Sequence, residues 1–86
     1  MQLQAMDIQD ILDGIGGHVC KAQDKHPGFA VEPETPLSLL MEEVGEACKA
    51  INEGDPQQAI YELKDAGAVI VRWIGVMEGR MNDGSR

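Results

Sequence analysis

Glu43, Glu46, Glu62 and Asp65 form two pairs of matched spacing inside one stretch, LMEEVGEACKAINEGDPQQAIYELKDAG, residues 40–67. Residues three apart on a helix share a face, so each pair points one way. Between the pairs lies the breaker run Glu53-Gly54-Asp55-Pro56. A connection this tight between two helices folds them into an antiparallel hairpin. Glu46 stands eight residues before Gly54 and Glu62 eight after it; Glu43 stands eleven before and Asp65 eleven after. At about 1.5 Å rise per residue, each acid lies level with its opposite number, roughly 12 to 17 Å from the turn. With both faces turned into the groove, the spacing predicts that four carboxylates converge.

Converging carboxylates repel. Two unit charges 4 Å apart cost about 4 kcal/mol at an effective dielectric near 20. Proton uptake, splaying or a bound divalent cation relieves that repulsion. A site made of oxygen ligands alone favours hard ions, Mg²⁺ before Mn²⁺. A di-iron bundle would want a Glu-x-x-His unit, and His18 and His26 lie elsewhere. Magnesium held by carboxylates keeps positions for water and substrate phosphate, which suits attack of water on a phosphoanhydride. A single acidic pair is ordinarily a solvated helix face. Two pairs set symmetrically about one turn are harder to assign that way, so on these residues alone a metal site and a solvated face both stand.

The elements that must position the acids are delimited by breakers. Gly28, Pro33 and Pro36 mark one connection, and Gly54, Asp55 and Pro56 mark another. Three helical patterns result, which makes the chain all-α. The first runs from about Asp7, a capping residue, to Asp24, with Ile8, Ile11, Leu12, Ile15 and Val19 at helical spacing. Gly14, Gly16 and Gly17 weaken it by up to about 1 kcal/mol each relative to alanine, and allow close packing or a bend. The second begins at Thr35-Pro36 and stops at Gly54. The third begins with Asp55-Pro56 and frays near Gly79. Residues 1–80 then form one domain, and 81–86 a flexible tail. The connection from Lys25 to Glu34 is long for a helix pair and reads as a crossover or a substrate-facing lid.

Composition narrows the function classes. With 86 residues the chain holds one domain with a thin core, and a domain of this size usually needs a staple. Cys20 and Cys48 sit in apolar-periodic stretches and read as small core hydrophobes, so oligomerisation is the expected staple. Fifteen acidic residues against seven basic ones argue against groove binding to nucleic acid, though metal ions can bridge an acidic protein to a polyphosphate. The N-terminus MQLQAMDIQD does not read as a signal peptide, and no stretch approaches the roughly 20 apolar residues of a membrane helix. The expected setting is the reducing cytoplasm.

The segments LLMEEVGEACKAI and YELKDAGAVIVRWI together resemble the MazG-like branch of the all-α nucleoside triphosphate pyrophosphohydrolases, which also contains dimeric all-α dUTPases. That family carries E-x-x-E on one helix and E-x-x-D on the next. Here these are Glu43-Val44-Gly45-Glu46, with Glu42 as the doubled glutamate, and Glu62-Leu63-Lys64-Asp65. The match covers about residues 36–75. The resemblance implies a helical protomer that forms dimers or tetramers. It also implies Mg²⁺ at Glu43, Glu46, Glu62 and Asp65, with Glu46 or Glu43 also orienting the attacking water. Cleavage between the α and β phosphates would give a nucleoside monophosphate and pyrophosphate.

The chain departs from that pattern in two places. Relatives continue into a further helix whose Lys, Asn and Arg residues touch the phosphates, whereas here VMEGRMNDGSR follows. The phosphate partners are then expected from Lys21, Lys25, Lys64, Arg72 or a neighbouring subunit. Val69 stands one turn after Asp65, where some relatives place a polar or aromatic residue. Of the remaining candidates, His18 reads as a solvent-exposed residue or a substrate hydrogen-bonder. Phe29 reads as a base-stacking residue or a loop tether, and Trp73 as a core or interface anchor ahead of a stacking platform. Lys21 and Lys25, four apart, form an anion clamp or a solvated face. The alternative to an enzyme is a non-catalytic acidic helical module that binds a nucleotide or a partner.

Overall fold

The computed structural model describes residues 3–28 and 34–79, and these are all-helical with three helices and no strand: α1 (Ala5–Lys25), α2 (Glu34–Asn52) and α3 (Pro56–Met77). The proposed tail, Phe29 and the middle of the first connection lie outside the described residues.

Local signals set most of the boundaries. Asp55 caps α3, its Oδ1 accepting from the Gln58 N–H at 3.1 Å, and Pro56 is the first helical residue. Proline is tolerated there because the first-turn N–H groups have no partner within the helix. Gly54, at φ 75°, makes the turn that ends α2, and Gly79, at φ 72°, follows the end of α3. L-residues with side chains adopt that region at a cost. Two starts differ from the sequence expectation. Helix α1 begins at Ala5, two residues early, with Asp7 reaching back to accept from the Gln4 N–H at 3.2 Å. Helix α2 begins at Glu34, so Thr35 is inside it and the fully buried Pro36 occupies its first turn.

Helix α3 is the central element. It packs on both α2 and α1, while α1 and α2 make no packing contact with each other among the described residues. The buried apolar set is small: Ala47 and Ala50 of α2, and Ala59, Ala66 and Ala68 of α3. Alanine at a helix contact lets the axes approach to the short end of the 8–10 Å range. Helix α1 meets α3 at glycine in the same manner. A Cβ on Gly67 would come within 3.1 Å of Ile15, and one on Gly14 within 3.2 Å of the Lys64 side chain.

The larger hydrophobic residues are left wet. Ile11 and Leu12 of α1, Met41 and Ile51 of α2, and Leu63, Ile70 and Ile74 of α3 are all exposed. No residue of α1 is buried. Cys20 and Cys48 are exposed free thiols, which corrects the expectation that they fill the core. They share the helical period of the apolar residues, but only positions against the α2–α3 alanine seam are covered. No described helix is long and apolar enough to cross a membrane.

Candidate functional site: an acidic cluster beside a basic wall

Because α1 and α2 both pack on α3 with their backbones held apart, a cleft of about 310 Å³ opens between them. Helix α3 supplies Tyr61, Asp65, Ala68, Val69 and Arg72 to its lining, a set that recurs at helical spacing along one face. Helix α2 supplies Leu39, Glu42 and Glu43. Helix α1 supplies His18, Lys21, Ala22 and Lys25, again at i, i+3, i+4 and i+7. Acidic groups from α2 thus face basic groups from α1.

Three of the four expected acids come together. Glu43, Glu62 and Asp65 each place a carboxylate oxygen within 4.8 Å of the others. Glu62 is only 7% exposed and accepts from Gln58 Nε2 at 3.1 Å. Burial, then the charges of Asp65, Glu62, Glu42 and Glu46, push the Glu43 carboxyl up to about 7. Removal from water disfavours the charged form, and neighbouring like charges add to that cost. Glu46 is exposed and does not join the three. Three residues advance a helix by about 300°, which leaves Glu46 rotated roughly 60° from Glu43. With Glu43 turned to α3, Glu46 swings toward solvent, while its charge still reaches Glu43.

The donor set fits a small hard cation. It is all carboxylate, and bonds of about 2.1 Å put opposite ligands of a magnesium ion about 4.2 Å apart. The 4.8 Å spread is therefore within modest side-chain rotations of a ligating arrangement. The raised Glu43 carboxyl is a group whose charge a bound cation would favour.

The basic wall is tied into the same network. His18 Nδ1 lies 2.6 Å from Asp65 Oδ1, and the His18 ring packs edge-on against Tyr61 with centroids 4.8 Å apart. Lys21 Nζ donates to the Tyr61 hydroxyl at 2.7 Å, a bond that holds the ammonium above its ordinary pKa. Arg72 is 3% exposed and donates from Nη2 to the His26 carbonyl at 2.6 Å.

Of the expected phosphate-facing residues, Lys21, Lys25 and Arg72 line the cleft, as does His18. Lys64 does not; the end of its side chain, Cε and Nζ, lies against Gly14. His18, expected to be solvent-exposed or substrate-bonding, is part-buried against Asp65. Trp73 is part-exposed and is not among the cleft residues. Tyr61 was not singled out by sequence reasoning. Its position one turn before Asp65 was the available signal, since i and i+4 share a helix face.

Fold and site define a three-helix all-α protein with an acid-and-base cleft. The chain matches no family model, no curated protein and no solved structure.

Proposed function

We propose that the protein is a Mg²⁺-dependent nucleoside triphosphate pyrophosphohydrolase that yields a nucleoside monophosphate and pyrophosphate and serves nucleotide-pool housecleaning in the cytoplasm. The observation that carries this is the convergence of Glu43, Glu62 and Asp65, of which Glu43 and Asp65 line the same cleft as Lys21 and Lys25. That pairing supports a polyphosphate whose negative charge is shared between a metal ion and lysines. The likeness of the two acidic motifs to MazG-like enzymes supports the choice of reaction. Manganese is the expected substitute ion.

Glu43, Glu62 and Asp65 would hold the ion, with α2 and α3 read as the arms of an antiparallel hairpin. When bound, Mg²⁺ polarises a phosphoryl oxygen and lowers the pKa of attacking water. Glu46, part of the motif but turned to solvent, is available to orient water from the open side. Lys21 and Lys25 would neutralise the phosphate tail, with the Tyr61 hydroxyl accepting a hydrogen bond from Lys21.

Assembly as a dimer or tetramer belongs to the same proposal. Exposed Leu63, Ile70 and Ile74 of α3 are the kind of surface that a partner helix covers.

Pyrophosphate release over a panel of nucleoside triphosphates with Mg²⁺ tests the reaction. Turnover that disappears in Glu62→Gln is expected. A non-catalytic nucleotide-binding module is favoured by one observation, the engagement of Arg72 on the His26 carbonyl. That reading predicts nucleotide binding with no pyrophosphate released.

A further inference from the structure

The contact between His18 and Asp65 is too short and too well placed to belong to a bystander. At 2.6 Å it is shorter than the roughly 2.7–2.9 Å usual for a charge-assisted bond from nitrogen to a carboxylate. An ionised carboxylate only accepts, so Nδ1 carries the proton and donates to Asp65 Oδ1. The histidine side chain is 15% exposed and that of Asp65 33%, so the bond is shielded from water mainly at the histidine end. The Tyr61 ring lies edge-on to the imidazole and restricts its rotation. Helix α1 carries no buried residue of its own, yet it places this side chain on the acid cluster of its neighbour.

The geometry points to His18 as a positioning residue that fixes the Asp65 carboxylate and leaves Oδ2 as its open ligand oxygen, which makes the cluster select a small octahedral cation over calcium. This rests on the metal-site reading of Glu43, Glu62 and Asp65. Calcium takes more oxygen ligands than magnesium, often with both oxygens of a carboxylate, in a flexible shell. Magnesium and manganese accept one oxygen from each carboxylate in a tight one. A donor clamped on Oδ1 penalises the two-oxygen mode and orients the remaining lone pairs. Partners of metal ligands act in this way, and their loss typically costs 10- to 100-fold in affinity.

The test is Mn²⁺ binding to the full chain, read by the loss of the free-ion electron paramagnetic resonance signal, with Ca²⁺ as competitor. Three variants are compared. In His18→Asn the amide nitrogen overlays Nδ1 and keeps the donor; in His18→Gln it overlays Nε2 and misplaces it; His18→Leu removes it. Expected are near-native Mn²⁺ affinity and selectivity for His18→Asn, and a 10- to 100-fold weaker Mn²⁺ affinity with a narrower Mn²⁺ over Ca²⁺ preference for the other two. Should His18→Leu fail to fold, the Asn and Gln pair carries the comparison. Equal affinities and selectivities for the Asn and Gln variants overturn the role of His18 and leave the metal site standing. Absence of saturable Mn²⁺ binding by the unaltered chain overturns both.

Discussion

Arg72 Nη2 donates to the His26 carbonyl at 2.6 Å, joining α3 to the residue that follows the end of α1. No residue of α1 is buried, so this charged bond, with those of His18 to Asp65 and Lys21 to Tyr61, contributes to its attachment. A hydrogen bond from a charged group contributes about 1.5 to 3 kcal/mol. Arg72→Met is expected to lose about 2 kcal/mol in urea unfolding, and to widen the cleft by loosening Lys21 and Lys25. An unchanged midpoint would show that α1 is held by other contacts.

Repulsion within the acid cluster is expected to lower stability when no cation is bound. Glu43→Gln removes one charge from beside Glu62 and Asp65 at nearly constant shape. The metal-free melting point should rise by the equivalent of on the order of 1 kcal/mol, after discounting for solvent screening at this part-exposed group. Differential scanning calorimetry in chelator measures it, and a fall in melting temperature would contradict repulsion among the three.

The same residue gives a pH dependence of defined sign. Glu43 is raised to about 7 in the folded chain from an ordinary value of 4.5. Between these values the folded state binds more protons than the unfolded state, so stability falls as pH rises. Below pH 4.5 the group is protonated in both states and the penalty vanishes; above pH 7 it is complete. Subtracting Glu43→Gln melts from native ones between pH 4 and 8 isolates this term. Added Mg²⁺ should act oppositely, its thermal shift growing up to about pH 7 as the ligand deprotonates.

Two kinds of glycine are separable by substitution. Nothing lies within 4 Å of a Cβ placed on Gly16 or Gly17, so alanine there should stabilise by roughly 0.5 to 1 kcal/mol through helix propensity. Gly67→Ala meets three Ile15 atoms at 3.1 to 3.3 Å. Overpacking typically costs about 1 to 3 kcal/mol, so it should lose stability despite the same propensity gain. Denaturant melts of the three variants check the order.

The elements were legible because their signals are local. Asp55-Pro56 and Gly54 need only their immediate neighbours to cap, start and turn a helix. The acid cluster was legible in part: Glu43, Glu62 and Asp65 follow from spacing about the turn. The outward swing of Glu46 depends on how far each helix is rotated, and the i, i+3 rule does not specify that rotation. The pairings of His18 with Asp65 and Lys21 with Tyr61 span 47 and 40 residues and depend on where α1 docks. The exposure of Cys20 and Cys48 was hidden for another reason. Periodicity marks an apolar face, not which part of it the chain itself covers.

The central claim is that Glu43, Glu62 and Asp65 are brought together to hold a divalent cation. Isothermal titration of Mg²⁺ into the chelator-treated protein, with Glu62→Gln alongside, tests it most directly. Saturable binding in the native chain that vanishes in the variant is the predicted result. Heats that are identical in the two proteins, or that never saturate, would contradict it.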